Sequence, residues 1–168
     1  MVIVIIHIIF SFLLDGFLSN YLNTSIVNPS YFITIYSLIS LVIIFNYFDN
    51  KKKYLKILIV VSILFDIVYT NTLFLNIIIF MLIYGIIYIM NVYIPNNLFT
   101  INLKSLVIVL MYNVISYGVL LLVRYGGYPL NILWTILIGS IIMTIIYASI
   151  SYIVINGIYF KIYDKKIR

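Results

Sequence analysis

Apolar runs, each about as long as a bilayer is thick, fill almost the whole chain, with short polar breaks between them. A membrane-crossing helix needs roughly 20 apolar residues, and six segments meet that length, predicting helices over about 2–19, 30–48, 54–71, 73–94, 104–124 and 130–159. The breaks carry turn chemistry: Asn28-Pro29-Ser30, Asp49-Asn50 with three lysines behind it, Thr70-Asn71-Thr72, Pro95-Asn96-Asn97 and Gly126-Gly127-Tyr128-Pro129. The break at Thr70-Asn71-Thr72 is so short that the third and fourth helices are expected to form an antiparallel hairpin. No repeat is legible along the chain. The pattern therefore predicts an all-α integral membrane protein, a single six-helix transmembrane domain over residues 1–168 whose last residues, 160–168, form a short basic cytoplasmic tail.

Composition supports this reading. Only 8% of the residues are charged, and the mean hydropathy is +1.24. A water-soluble domain of 168 residues has no interior large enough for so much apolar surface. The first apolar run lacks the basic start and small-residue cleavage site of a signal peptide, so it is expected to stay as a helix. There is no cysteine, which excludes disulfides, thiolate metal sites and cysteine nucleophiles. The residue choice leans towards Ile, Asn, Lys, Tyr and Phe, and Ala148 is the single alanine, a bias that points to an AT-rich bacterial genome. The 17 tyrosines are then poor markers of function, and several suit the membrane–water interface.

The net charge of +6 is explained by where the charges lie. Lys51, Lys52, Lys53 and Lys56 fall between predicted helices 2 and 3, and Lys104 between helices 4 and 5. Lys161, Lys165, Lys166 and Arg168 follow helix 6, and Arg124 alone lies at the opposite ends. The positive-inside rule places the larger group in the cytoplasm, so both termini are expected there, in a multi-pass protein of the bacterial cytoplasmic membrane. An N-in, C-in chain needs an even number of spans, which six satisfies. The lysines of 51–56 are expected to meet anionic lipid headgroups or a cytoplasmic partner, and nothing in their arrangement asks for nucleic acid.

Polar residues inside the apolar runs carry more information. His7, Ser11, Asp15 and Ser19 recur every four residues, as do Ser62, Asp66 and Thr70. Asn113 and Tyr117 share a face of helix 5, and Ser140, Thr144 and Ala148 form a small-residue ladder on helix 6. Such stripes face other helices, and packing alone accounts for most of the Ser, Thr and Asn positions. The two acids are different. An Asp at a helix centre costs on the order of 2.5–3.5 kcal/mol on insertion scales, and less towards an interface. Asp15 and Asp66 are both expected in the outer thirds of their helices, at a depth similar to Arg124. One or both are expected to pair with Arg124, and a neutral Asp bonded to Ser or Tyr is the competing state. Gly16, next to Asp15, allows close backbone approach or a bend.

These residues do not compose a catalytic centre. All four acids are Asp and His7 is the only histidine, so a metal site of the usual kind is not expected. His7, Ser11 and Asp15 stack along one helix rather than converge, and no G-x-S-x-G elbow or Gly-rich phosphate loop is present. A polar outer layer leaves three readings: an ion pair that is structural or docks a partner, a proton or cation relay, and a small-molecule pocket. The relay lacks an acid in the inner halves of helices 3 to 6 to continue it.

The stretch Ser62-Ile-Leu-Phe-Asp66-Ile-Val-Tyr-Thr70-Asn-Thr-Leu-Phe-Leu-Asn76 resembles the best-known segment of the rod shape-determining protein MreD family. There an aromatic-Asp pair ends one helix, and a short turn leads into an apolar helix that often carries a glycine, here Gly85. Phe12-Leu-Leu-Asp15-Gly16 resembles the acid-Gly pair of that family's first helix, and length, six spans and a basic tail match along the chain. The chain departs from the family in its scarcity of Ala and Gly and in Asn71, where the family often has Gly. The resemblance implies a non-enzymatic membrane scaffold of the cell-elongation complex, without a cofactor. It would bind MreC and act with RodA, a class B transpeptidase and MreB in lateral peptidoglycan synthesis and cell shape. It also implies a fold similar to the substrate-binding subunits of energy-coupling-factor vitamin transporters, which is the alternative function. Against that alternative, the first helix lacks the alanines with which such subunits usually dock; for it, Tyr21, Asn23, Tyr128 and Trp134 are available near the outer face.

Overall fold

The computed structural model describes residues 2–21, 34–70, 74–122 and 130–167. They form α1 (Val2–Tyr21), α2 (Tyr36–Ile44), α3 (Lys51–Phe65), α4 (Leu75–Tyr93), α5 (Leu98–Leu122) and α6 (Leu130–Ile167), with no strand among the described residues. A 3-10 turn, Phe45–Tyr47, extends α2, and a π-helical turn, Asp66–Thr70, extends α3.

Helix starts are set by two kinds of chemistry. Some are local. The Asn50 side chain accepts from the Lys52 N–H at 2.9 Å and opens α3. At α5, the Thr100 N–H donates to Asn97 Oδ1 at 2.8 Å and the Asn97 N–H to Thr100 Oγ1 at 2.9 Å, a reciprocal capping box. This box starts α5 at Leu98, ahead of the expected residue 104. The other two described starts have no local cap. Ile35 before α2 is extended and apolar, and Phe74 before α4 takes a left-handed φ of 65°. Their caps come from elsewhere in the chain. At the far end, α6 runs to Ile167 through the expected tail, because no proline interrupts it.

Successive helices alternate in direction. Thr34 reaches Ser140 and Tyr47 reaches Asn156, so α2 and α6 run parallel. Asn102 pairs with Ser149 and Tyr152 with the Asn96 carbonyl, so α5 opposes α6. Asn76 meets Tyr112 and Asn91 meets Lys104, so α4 opposes α5. Asp66 meets Asn76 and Tyr54 stacks on Tyr84, so α3 opposes α4. The end of α1 meets the start of α2. At the centre stands α2, buried at every residue, with α1, α5 and α6 packed around it.

Among the described residues, three helices are long and apolar enough to cross a membrane: α4 over Leu75–Tyr93, α5 over Leu98–Val119 and α6 over Leu133–Tyr159. Ile3–Leu18 and Tyr36–Tyr47 are apolar but shorter. The expected second helix, from residue 30, begins in the described chain only at Tyr36, after Thr34 and an extended Ile35. α3 spends its first turns on four lysines. The outer surface of the bundle carries large apolar side chains on every flank, among them Ile6 and Phe10 of α1, Ile78 and Leu82 of α4, and Ile138 and Ile142 of α6. So broad an apolar surface is what lipid covers.

Candidate functional site

Asp15, on α1, is buried, and its two carboxylate oxygens accept from the Tyr36 N–H at 2.6 Å and the Ser37 N–H at 2.9 Å. These are the first two residues of α2. The first N–H groups of a helix have no partner within it and carry its partial positive charge. Ile35 has no side-chain oxygen to offer them, and Asp15 supplies it from another helix.

Asp66 repeats the device. It accepts from the Asn76 N–H at 3.1 and 3.2 Å and from Asn76 Nδ2 at 2.9 Å. Thr70 Oγ1 donates to it at 3.3 Å and in turn accepts from Asn76 Nδ2 at 3.0 Å. Asn76 is the second residue of α4, whose preceding residue, Phe74, again offers no side-chain cap. The π-helical turn widens the end of α3 at Asp66, a local change of register found often at functional positions. Tyr112 of α5 donates to Asn76 Oδ1 at 2.6 Å and ties the network to a third helix.

Gly16 is where α1 and the end of α3 touch. Tyr69 Oη donates to the Phe12 carbonyl at 2.5 Å, and a Cβ on Gly16 would lie 2.8 Å from that oxygen. Only a residue without a side chain allows this approach. The Asp15–Gly16 segment and the turn that begins at Asp66, expected in one layer, thus meet through Tyr69. Arg124, the fourth expected member, lies outside the described residues. Backbone N–H groups, an amide and a hydroxyl are among the donors to the two acids.

The opposite helix ends are met by lysines. Lys51 Nζ donates to the carbonyls of Phe45 at 3.0 Å and Phe48 at 2.8 Å and lies 4.0 Å from the centre of the Phe45 ring. It closes the carbonyl end of α2 and its 3-10 turn. Burial lowers the pKa of Lys51, and Asp49 opposes that shift. Lys104 corrects the expectation of a lysine in a loop between helices. It sits inside α5, buried, and its ammonium donates to Asn91 Oδ1 at 2.9 Å, the Ile94 carbonyl at 2.9 Å and Asn96 Oδ1 at 2.5 Å. Those acceptors end α4. So α2 is bracketed by Asp15 and Lys51, and α4 by Asp66 and Lys104, with all four side chains supplied from outside the helix they close.

Lys52, Lys53 and Lys56 stay exposed on α3. The remaining stripes serve packing: Ser11 bonds the His7 carbonyl at 2.7 Å and the Tyr147 hydroxyl at 2.6 Å, while Asn113 and Thr144 are buried without a hydrogen-bond partner among the described residues. Those residues hold no group of three or more His, Cys, Asp or Glu that could ligate a metal ion. Sequence reasoning missed Tyr69, Asn76, Tyr112 and the role of Lys104. The signal for Lys104 was a lone lysine at the head of an apolar run with Asn91 and Asn96 shortly before it. No family model matches the chain, and no curated protein or solved structure matches it either.

Proposed function

We propose that the chain is a six-pass scaffold of the bacterial cytoplasmic membrane, with both termini cytoplasmic, working without catalysis in the cell-elongation complex as the resemblance to the MreD family implies. The observation that carries the reading is the use of the two acids within the resembling motifs. Asp15, beside Gly16, and Asp66, behind Phe65, each hold the start of the following helix. Groups committed in this way build a rigid frame rather than a reaction centre. The alternation of helix direction agrees with the charge pattern, since Lys51, Lys52, Lys53, Lys56 and Lys104 gather at one end of the bundle and the two acids at the other.

In this reading the outer Asp15/Asp66 layer fixes α1 to α4 and shapes the outward surface. The bundle's flank receives the transmembrane helix of MreC, and the end bearing the lysines faces MreB. Affinity purification of the tagged protein from mildly solubilised native membranes, read by mass spectrometry, tests this. Recovery of MreC with RodA or MreB is the expected result, and Asp66→Ala should lower that recovery. Recovery of an ATPase pair with its coupling membrane subunit would overturn the reading in favour of a vitamin transporter subunit.

A further inference from the structure

The outward face of α3 has two chemically distinct halves. Successive helix positions turn by about 100°, so Lys52, Lys53 and Lys56 form a compact triangle, with Lys56 one turn on and between the other two. All three are exposed. The buried residues Tyr54, Leu58, Val61 and Phe65 occupy the opposite face. Further along the lysine face come Val60, Ile63, Leu64 and Ile67, all exposed and apolar. From Lys56 to Ile67 the rise is about 16 Å, the depth of one leaflet of a roughly 30 Å hydrocarbon core.

We propose that this face is a binding site for one anionic phospholipid, with its phosphate among the three lysine ammonium groups and an acyl chain along Val60, Ile63 and Ile67. Lys51 takes no part, because its ammonium is already held by the Phe45 and Phe48 carbonyls. Charge alone would suit an acidic protein equally well. The apolar strip continuing directly from the lysines selects a ligand with a charged head and a long apolar tail. Lysine attraction to anionic lipid surfaces supplies the head-end specificity. The proposal goes beyond the scaffold reading and stands whether or not the chain joins an elongation complex.

The test is native mass spectrometry of the full chain after equilibration in detergent with equal amounts of phosphatidylglycerol and phosphatidylcholine. The wild type should retain phosphatidylglycerol in preference. The triple variant Lys52→Gln, Lys53→Gln, Lys56→Gln should lose about tenfold or more of that preference, each lysine being worth about fivefold at a membrane surface. A charge-matched variant, Lys161→Gln, Lys165→Gln, Lys166→Gln, should keep it. Retention of the preference by the first variant, or equal loss in both, overturns the site. So does a wild type without preference whose lysines instead capture polyglutamate, which would assign the face to an acidic protein. Should the triple variant fail to fold, Lys56→Gln alone, at the centre of the triangle, is read by the same criteria.

Discussion

The carboxylate of Asp15 closes the N-terminus of α2 at the Tyr36 N–H, 2.6 Å away and 21 residues along the chain. A cap is usually supplied by the residue just before the helix. Here the helix before supplies it, so α1 and α2 are joined by the group that would otherwise be the costliest in α1. Asp15→Ala should lower stability in detergent by about 1–3 kcal/mol, since it leaves two buried N–H groups unpaired. Asp15→Asn keeps one acceptor and should lose less. The midpoint of unfolding in mixed micelles measures both, and an unchanged midpoint for Asp15→Ala would mean that the α2 amides have another partner.

The contact of Tyr69 on Gly16 predicts a coupled pair. Gly16→Ala places a methyl 2.8 Å from Tyr69 Oη and 3.1 Å from a ring carbon. Overpacking of this kind costs about 1–3 kcal/mol. Tyr69→Phe removes the nearer atom, so the double variant should be more stable than the sum of the single effects predicts. Strict additivity would remove the proposed contact.

Lys104 and Lys52 are expected to behave oppositely. Lys104→Met removes the buried ammonium that the Asn91, Ile94 and Asn96 oxygens share and should cost about 1–2 kcal/mol. Lys52→Met is exposed and should stay within about 0.5 kcal/mol of the wild type. Equal effects in thermal unfolding would contradict the assignment of Lys104 as the closure of α4.

Phe74 holds a left-handed backbone, φ 65°, at the entry to α4. Both Phe74→Gly and Phe74→Ala remove the exposed ring, but only glycine relieves the backbone. Phe74→Gly should therefore be the more stable of the two by about 1 kcal/mol. The reverse order would show that this residue is not left-handed.

Much of the bundle was legible because lipid demands long apolar runs, and α4 and α6 lie close to where those runs predicted them. Asp15, Gly16 and Asp66 were legible for the same reason, since an acid stands out among Ile and Phe. Their partners were not. Backbone amides have no signature in sequence, so nothing marked Tyr36 as the residue that meets Asp15. The expected pairing of acid with Arg124 lies outside the described residues. Lys104 was misread because the Asn97–Thr100 box starts α5 a full turn and more before its apolar run. The double use of acid and lysine around α2 and α4 has no counterpart in residue spacing: Asp15 lies 21 residues before its amide, and Asp66 lies 10 before its own.

The proposed scaffold has six helices alternating across the membrane, with acid-closed ends outside and lysine-closed ends inside. Because the chain has no cysteine, single cysteines can be introduced at exposed positions near those ends: Asp49→Cys and Asn97→Cys at the lysine end, Phe74→Cys and Asn131→Cys at the acid end. Labelling of intact cells with a membrane-impermeant maleimide measures the side directly. The account predicts labelling at 74 and 131, and at 49 and 97 only after permeabilisation. Labelling of both sets from the same side would contradict it.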